Sequence, residues 1–171
     1  MRLRDATRAD IPALSELSQA CDVSQRAWAG PDIPIPGIEE QELEWDLRFA
    51  RRGARITVAE DDDAGIVGVV AFASATVSRS DRTPLPGVAH VNAVFVHPEH
   101  WRRGIARRLL DHAEAQMRVD GYAREQLFTL LGSPAERLYA ALGWRRDGRV
   151  EDYPPMRLKA VGYVKDLPEG A

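Results

Sequence analysis

The stretch from Val91 to Leu110 constrains the fold of this chain more than any other part of the sequence. The apolar run Val91–Val96 predicts a strand, and the residues after the His97-Pro98 turn have helical spacing. A strand is therefore expected to lead through a short turn straight into a helix. Four arginines crowd the start of that helix, namely Arg102, Arg103, Arg107 and Arg108.

This crowding of arginines is physically unusual and indicates an anionic ligand. The N-terminus of a helix carries about half a positive charge, so each exposed cation there costs about 0.3–1 kcal/mol. Free N–H groups, the small residues Gly104 and Ala106 and the surplus positive charge together suit a phosphate or pyrophosphate. The alternative is a solvated basic turn that binds no ligand.

Length and composition favour one domain that spans residues 1–171, because 44% of the 171 residues are hydrophobic and can form a core. The formal net charge of −3 gives no indication of nucleic acid or an anionic membrane as a partner. The single cysteine, Cys21, has helical spacing with three apolar residues, which predicts a buried position. No N-terminal signal and no apolar run of membrane-spanning length is present, so we expect a cytoplasmic protein.

Strands and helices follow one another irregularly along the chain. Strands are predicted over Met1–Asp5, Ile56–Glu60, Ile66–Val77, Val88–Val96, Glu125–Leu131, Trp144–Val150 and Met156–Val161. Helices are predicted over Arg8–Cys21, Ile38–Arg52, Gly104–Asp120 and Pro134–Leu142, and loops over Trp28–Gly37 and Arg79–Gly87. This order predicts an α+β fold, in which helices flank a central, mixed but mostly antiparallel sheet.

Two common phosphate-binding motifs are missing. The chain contains no GxxxxGK[ST] and no GxGxxG after a first strand, which excludes a P-loop and the dinucleotide fingerprint. A phosphate site in the middle of the chain therefore has to belong to another arrangement.

Three segments resemble the GNAT superfamily of N-acetyltransferases. The opening RLRDATRADIPALSEL is similar to the first strand and helix of that family, and VNAVFVHPEHWRRGIARRLLDHAE is similar to its coenzyme A pyrophosphate motif, Q/R-x-x-G-x-G/A. SPAERLYAALGWRRDG is similar to a later helix that ends in Leu-Tyr-x-x-x-Gly-Phe/Trp. The order and spacing of the three segments imply a GNAT-like fold and acetyl-CoA as co-substrate, with no metal.

Two positions depart from the family pattern. Trp101 stands where the pyrophosphate motif normally has Gln or Arg, and Gly132 and Ser133 stand where an Asn often precedes the later helix. The first change matters less, because main-chain N–H groups hold most of the pyrophosphate. The second leaves open any contact that the Asn side chain makes to cofactor or substrate.

The resemblance also implies which residues bind the cofactor. Main-chain N–H groups of Val94 and Val96 would hold the acyl carbonyl and the pantetheine arm, and those from Arg103 to Arg107 would hold the pyrophosphate. A strand that is merely buried is compatible with this role, since the contacts are made by the backbone. The full predicted set is Val94, Phe95, Val96, Arg102, Arg103, Gly104, Ile105, Ala106 and Arg107.

Two side chains are the predicted catalytic residues. Tyr139 corresponds to the tyrosine of the later helix, and its phenol would donate a hydrogen bond or a proton to the departing thiolate. The alternative is a core tyrosine. His90 lies on the strand that leads to the cofactor loop, and an imidazole of pKa about 6.5 is a competent general base. One alternative is that His90 only packs against its neighbours. Another is that the amine loses its proton to solvent through water, without a general base.

The acceptor is a small-molecule amine or a peptide that the sequence does not identify. Specificity would reside in residues 22–52 and 79–87, where Trp28, Trp45 and the acids of the second helix either line an acceptor pocket or form an ordinary amphipathic helix. His97, His100 and His112 have no metal-ligand pattern. A coenzyme A-binding sensor without turnover, O-acyl transfer, and a homodimer formed through the C-terminal strands remain open.

Overall fold

The computed structural model describes residues 1–169, so residues 170 and 171 of the predicted domain lie outside the described part. The strands are β1 (Arg2–Asp5), β2 (Arg55–Asp61), β3 (Gly65–Thr76), β4 (Pro84–Val96), β5 (Arg124–Leu130), β6 (Arg145–Tyr153) and β7 (Leu158–Asp166). The α-helices are α1 (Ile11–Ser24), α2 (Arg26–Ala29), α3 (Ile38–Phe49), α4 (Ile105–Val119) and α5 (Ala135–Ala141), and 3₁₀ turns cover Arg8–Asp10, Pro98–His100 and Pro154–Met156.

The seven strands form one sheet in the order β1-β2-β3-β4-β5-β7-β6. Only β4 and β5 run parallel, and all other neighbours are antiparallel. Helices cover both faces of this sheet. The predicted α+β fold, with a mixed but mostly antiparallel sheet and flanking helices, is confirmed.

Each face of the sheet has its own hydrophobic core. On one face α4 packs through the predicted stripe of Ile105, Leu109, Ala113 and Met117, together with Leu127 and Tyr139. On the other face α1 and α3 pack through Leu14, Leu17, Cys21 and Trp45 against Val58, Val69 and Ala93. Cys21 is buried, as predicted. The alternation of side chains along the strands allows one sheet to support both cores.

Helix α4 lies unusually close to the sheet because of Gly68 on β3. A Cβ atom at Gly68 would lie 3.1 Å from both Ile105 Cγ2 and Leu109 Cδ1. The bare glycine therefore sets how closely the start of α4 approaches the strand beneath it. This position determines where the helix N-terminus meets the end of β4.

The parallel strands β4 and β5 separate part-way along their length. They pair only from Val88–Val91 to Arg124–Leu127, after which β5 continues with β7 and β4 continues with β3. An extra residue in β4, Asn92, lies at the point of separation, since Val91 pairs with Phe72 and Ala93 with Ala71. Such a bulge bends a strand. A gap thus opens in the middle of the sheet.

Several predicted boundaries are wrong. β4 begins at Pro84, inside the predicted loop Arg79–Gly87, because this end of the strand pairs with β3 alone and the prolines need no partner on the other side. The first helix continues to Ser24, and α2 occupies the start of the predicted loop Trp28–Gly37. Helix α3 ends at Phe49 rather than Arg52, since the chain turns at Gly53 with φ of +70°.

The C-terminal strands pair antiparallel, as predicted, but Met156 lies in a 3₁₀ turn before β7 rather than in it. β6 is an edge strand of the sheet, and Val150 on it is exposed. In the described part of the chain, none of the helices has both the length and the apolar character that crossing a bilayer demands.

Candidate active site

The start of α4 presents free backbone N–H groups to open space. Gly104 adopts the left-handed conformation with φ of +74°, and no side chain of the described residues caps the helix. The first helical hydrogen bond runs from the N–H of Arg108 to the carbonyl of Gly104, at 3.1 Å. The N–H groups of residues 105–107 therefore have no partner within the helix. A Cβ atom at Gly104 would meet no atom within 4 Å, so the approach is clear.

The backbone of β4 offers two further donors to the gap. The N–H of His97 donates to Val67 of β3 at 2.8 Å, and the carbonyl of Phe95 also faces β3, where it lies 3.3 Å from a Cβ built on Gly68. Backbone groups alternate in direction along a strand. The N–H groups of Val94 and Val96 consequently point away from β3, toward the gap between β4 and β5.

Trp101 connects the end of β4 to the loop before α4. Its indole Nε1 donates to the carbonyl of Val96, and Cys21 Sγ donates to the same oxygen from α1 at 3.3 Å. Trp101, which departs from the pyrophosphate motif, therefore attaches the loop to the end of β4. Next to it, Arg102 has a left-handed backbone with φ of +60°, a conformation that non-glycine residues seldom adopt.

A continuous cleft of about 2420 Å³ joins the gap to the start of α4. A drug-sized ligand occupies a pocket of about 300–1,000 Å³, so this cleft has room for a long cofactor and a second substrate. Eight of the nine predicted cofactor residues line it: Val94, Phe95, Val96, Arg102, Gly104, Ile105, Ala106 and Arg107. Arg103 instead lines a separate hollow beside Met1 and Asp61.

Tyr139 borders the cleft from α5 but is almost fully buried, with an exposed fraction of 6%. Its ring packs edge-on against Trp144, with centroids 5.8 Å apart, and lies 6.0 Å from the ring of Tyr163. Burial, with a smaller contribution from Glu125, raises the pKa of Tyr139 well above its ordinary value. The phenol therefore keeps its proton. Tyr139 therefore packs in the core and also borders the cleft.

His90 lies on β4 at the level where β4 and β5 still pair. Burial lowers its pKa to about 4, with further contributions from Arg51, Arg149 and Arg79. Its Nδ1 atom is sealed from solvent and has no hydrogen-bond partner among the described residues. The prediction of a general base supposes an imidazole of ordinary pKa. In the folded chain the His90 side chain is neutral at pH 7 and is a much weaker base than such an imidazole.

The part of the cleft that α1 and α3 line contains charged residues that the sequence does not single out. Asp22 on α1 accepts a hydrogen bond from Gln41 Nε2 at 2.6 Å, and burial raises its pKa to about 6. Arg48 on α3 lies in the same region. Trp28 lines the cleft, but Trp45 is buried in the core and donates to Ser18 Oγ at 2.9 Å. Helical spacing predicts which residues of α1 and α3 share a face. Only the packing of the folded chain decides which of them reach the cleft.

A buried carboxyl group, Glu125, lies near Tyr139. Its side chain has no exposed surface, and burial together with the neighbouring Glu114 raises its pKa to about 9. Glu114 in turn contacts Lys165 Nζ at 2.5 Å. Glu125 is therefore neutral at pH 7. Glu125 follows Arg124 on a strand, and nothing in the sequence there predicts that its side chain is buried.

Comparison with known proteins identifies the family of this chain. The model of the Acetyltransferase (GNAT) family matches residues 17–144, which is most of the chain. The chain belongs to the GNAT family. It is accordingly an acyltransferase of the acetyltransferase class, as its sequence resemblance predicts. No curated protein sequence matches this acetyltransferase significantly.

Solved structures of low sequence identity share its fold. A phosphinothricin acetyltransferase of the GNAT superfamily from Sinorhizobium meliloti, in complex with acetyl-CoA, has a TM-score of 0.72 at 20% identity, covering 99% of this chain and 90% of its own. The ribosomal-protein-S18-alanine N-acetyltransferase from Escherichia coli has a TM-score of 0.71 at 14% identity, covering 99% and 96%. An N-acetyltransferase from Staphylococcus aureus Mu50 has a TM-score of 0.72 at 16% identity, covering 98% of each chain.

Two of the histidines that have no metal-ligand pattern in the sequence are neighbours in this acetyltransferase. His97 and His100 have ring centroids 6.0 Å apart in the turn after β4. Within residues 1–169, no three His, Cys, Asp or Glu side chains converge as metal ligands would. The polar groups that face the cleft include backbone donors, arginines, a phenol, an imidazole and the carboxyl group of Asp22.

Proposed function

We propose that this acetyltransferase transfers an acetyl group from acetyl-CoA directly to a primary amine, on a small molecule or a peptide. The observation that carries the proposal is the gap between β4 and β5. There the N–H groups of Val94 and Val96 point into the cleft that also contains the free N-terminus of α4. One cleft thus offers donors suited to a diphosphate and donors suited to a carbonyl oxygen.

The N-terminus of α4 supports binding of the pyrophosphate. The free N–H groups of Ile105, Ala106 and Arg107 and the helix dipole favour an anion, and the bare Gly104 leaves room for it. The side chains of Arg102 and Arg107, which line the cleft, add positive charge. When bound, acetyl-CoA supplies an acetyl thioester, whose carbonyl carbon the amine attacks and whose sulfur departs as a thiolate.

The N–H groups of Val94 and Val96 support the electrostatic part of the reaction. Donors that are fixed before the reaction stabilise developing negative charge on an oxygen without any rearrangement. Both groups belong to a strand that β3 holds on its other side, so their direction is set by the sheet. In this proposal they donate to the acyl oxygen and to the arm of the cofactor.

Tyr139 is the proposed hydrogen-bond donor to the thiolate. A phenol of pKa about 10 that faces a thiol of pKa about 8.5 makes complete proton transfer unfavourable by about 2 kcal/mol. Burial raises the pKa of Tyr139 further, which increases this cost. We therefore assign it a hydrogen bond that stabilises the leaving group.

His90 is the proposed hydrogen-bond acceptor for the amine. A lowered pKa of about 4 keeps the imidazole neutral at pH 7, and a neutral imidazole has one free lone pair. The same low pKa makes it a poor final acceptor of the proton. The proton of the amine therefore leaves through water, while His90 orients the nitrogen.

An acceptor screen that follows release of free thiol tests the proposal. We expect acetyl-CoA to bind with measurable heat and at least one primary amine to release thiol above background. Tyr139→Phe and His90→Ala are then measured on that amine, and both should lower kcat. Calorimetry that finds no binding of acetyl-CoA would refute the proposal. Binding without thiol release for any amine would identify a coenzyme A sensor instead.

A further inference from the structure

The acceptor end of the cleft contains an arginine whose donors lack partners. Nε and Nη1 of Arg48 are sealed from solvent and make no hydrogen bond to any described residue. The guanidinium group stacks over Trp45, with its central carbon 4.7 Å from the ring centroid. A buried cation without an acceptor is costly, and the planar fork of arginine matches a carboxylate or a phosphorus oxyanion.

The acids near Arg48 do not neutralise it. Asp22 is close enough to influence it, but the Asp22 carboxyl accepts its hydrogen bond from Gln41 Nε2. Glu44, one turn earlier on α3, also faces the cleft, and no salt bridge joins either acid to Arg48 among residues 1–169. The stacking on Trp45 fixes the guanidinium without satisfying its N–H groups. Arg48 therefore borders the cleft with a fixed guanidinium group that no acid of the described residues pairs with.

Other arginines give the same region a positive potential. Arg51 lies three residues after Arg48 and borders the cleft, as do Arg79 and Arg82 between β3 and β4 and Arg149 on β6. Arg149 stacks over Phe128 at 4.5 Å. Some of this charge is compensated, because Arg79 lies 3.5 Å from Glu151 and Arg149 contacts Asp147. The acids that face this end of the cleft are Asp22, Glu40, Glu44 and Glu151.

This potential discriminates between classes of amine. A dication such as a protonated diamine is repelled by the positive charge of the arginines, which weakens its binding. An amine that carries its own oxyanion pairs with the arginines and brings its nitrogen into a region of positive potential. That potential lowers the pKa of an ammonium group and so favours the neutral amine that the reaction requires.

We propose that Arg48, assisted by Arg51, binds the oxyanion of an acceptor that is amino-acid-like, so that the acetyltransferase acts on a free amine bearing a carboxylate or phosphonate. This inference rests on the proposed function, since it specifies the acceptor of the same cleft. It selects a small zwitterion over a peptide N-terminus, in which the α-carboxylate has become an amide. In this proposal the oxyanion accepts a charge-assisted hydrogen bond from the guanidinium group where that group borders the cleft.

The experiment compares matched pairs of acceptors. The pairs are alanine with ethylamine, phenylalanine with phenethylamine, histidine with histamine and lysine with cadaverine, to which we add 1-aminoethylphosphonate and a C-terminally amidated alanyl peptide. We expect the best amino acid or phosphonate to exceed its partner amine in kcat/KM by about tenfold or more. Equal or higher kcat/KM for the partner amine or for the amidated peptide would overturn the proposal.

Variants assign the effect to the arginine. Arg48→Gln should raise KM for the best anionic acceptor by about 10- to 100-fold and leave KM for acetyl-CoA unchanged. Arg48→Lys keeps the charge and the aliphatic stem but loses the fork, so it remains informative if the first variant is unstable, and should show a smaller rise. Arg8→Gln is the control, because Arg8 also stacks on an α3 aromatic, Phe49 at 5.6 Å, but lies outside the cleft. An unchanged KM in both Arg48 variants would overturn the assignment.

Direct binding separates this inference from the proposed function. If no amine releases thiol although acetyl-CoA binds, the proposed function fails, and the anion subsite is judged by calorimetry of the same panel on protein saturated with coenzyme A. Binding of an amino acid or aminoethylphosphonate that Arg48→Gln abolishes would support the subsite. Equal binding to both proteins, or no binding of any member of the panel, would overturn it.

Discussion

The indole Nε1 of Trp101 lies 2.7 Å from the carbonyl oxygen of Val96 and donates a hydrogen bond to it. This contact joins the turn before α4 to the last residue of β4. The two groups of backbone donors in the cleft, on the helix and on the strand, are therefore held in a set relation. A family position that usually carries Gln or Arg has here a residue that braces the loop.

Replacement of Trp101 by Phe removes this brace and retains an aromatic ring. A typical hydrogen bond contributes about 0.5–1.5 kcal/mol, so we expect the Kd for acetyl-CoA to rise by about 2- to 10-fold. Effects on kcat should be smaller, because Tyr139 lies on α5 and His90 lies six residues before Val96 on β4. Isothermal titration calorimetry measures the change, and an unaltered Kd would contradict the bracing role.

Replacement of Gly104 by Ala tests the cradle at the start of α4. A left-handed alanine costs about 1–2 kcal/mol, and its methyl group would enter the space in which the pyrophosphate is proposed to lie. Gly121→Ala is a matched control, because Gly121 also has positive φ, of +88°, and open space around it, at the other end of the same helix. Both variants should lose similar stability in urea, but only Gly104→Ala should lose affinity for acetyl-CoA. Equal affinities in the two variants would argue against the cradle.

Tyr139→Phe should lower kcat by about 10²-fold while KM for acetyl-CoA stays close to the wild-type value. Because burial raises the pKa of Tyr139, the phenol stays protonated, and wild-type kcat should not fall between pH 7 and 10 through loss of its proton. Tyr163→Phe is the control, since its hydroxyl donates to Glu136 Oε1 at 2.7 Å and its ring neighbours Tyr139. Stopped thiol-release assays across this pH range provide the measurement. A wild-type kcat in Tyr139→Phe would refute the role.

Glu125→Gln should change how stability depends on pH. The pKa of Glu125 is raised to about 9 in the folded protein, against about 4.3 for an unfolded chain. Between these values the folded state binds the extra proton, so the free energy of unfolding decreases as pH rises. The stabilisation is complete below about pH 4.3 and is lost as pH rises toward 9.

The variant has no proton to lose, so it should gain stability relative to wild type between pH 5 and pH 8, by up to about 4 kcal/mol. Urea unfolding at both pH values measures this difference. Glu39→Gln, on the exposed side of α3, is the control for loss of a negative charge. Parallel curves of stability against pH for wild type and Glu125→Gln would show that the buried carboxyl does not titrate in this range.

Local patterns were enough to predict the fold and the uncapped start of α4. The stripe of Ile105, Leu109, Ala113 and Met117 has the period of a helix, and the glycine before it marks the uncapped start. Gly68 was not predicted to matter, because its importance arises only when α4 approaches β3. Pairing across the sheet likewise extended β4 over Pro84 and Pro86, where local signals favour a loop.

The part of the cleft around Arg48 was harder to predict, since its character depends on which partners a side chain lacks. Arg48 has ordinary helical spacing, and only the folded chain shows that Asp22 bonds to Gln41 rather than to it. His90 could be located on its strand from sequence, but its low pKa comes mainly from burial in the fold, with further contributions from arginines at positions 51, 149 and 79. Because these arginines come from distant segments of the chain, the sequence of any one segment does not show that their charges meet.

The separation of β4 and β5 after four paired residues also has a mechanical consequence. The two halves of the sheet, β1–β4 and β5–β7, are joined edge to edge only by this short ladder at one end. We expect the opening to change its width by hinging there, with every other ladder intact. A ligand bound in this opening would then bring the two halves of the sheet closer together.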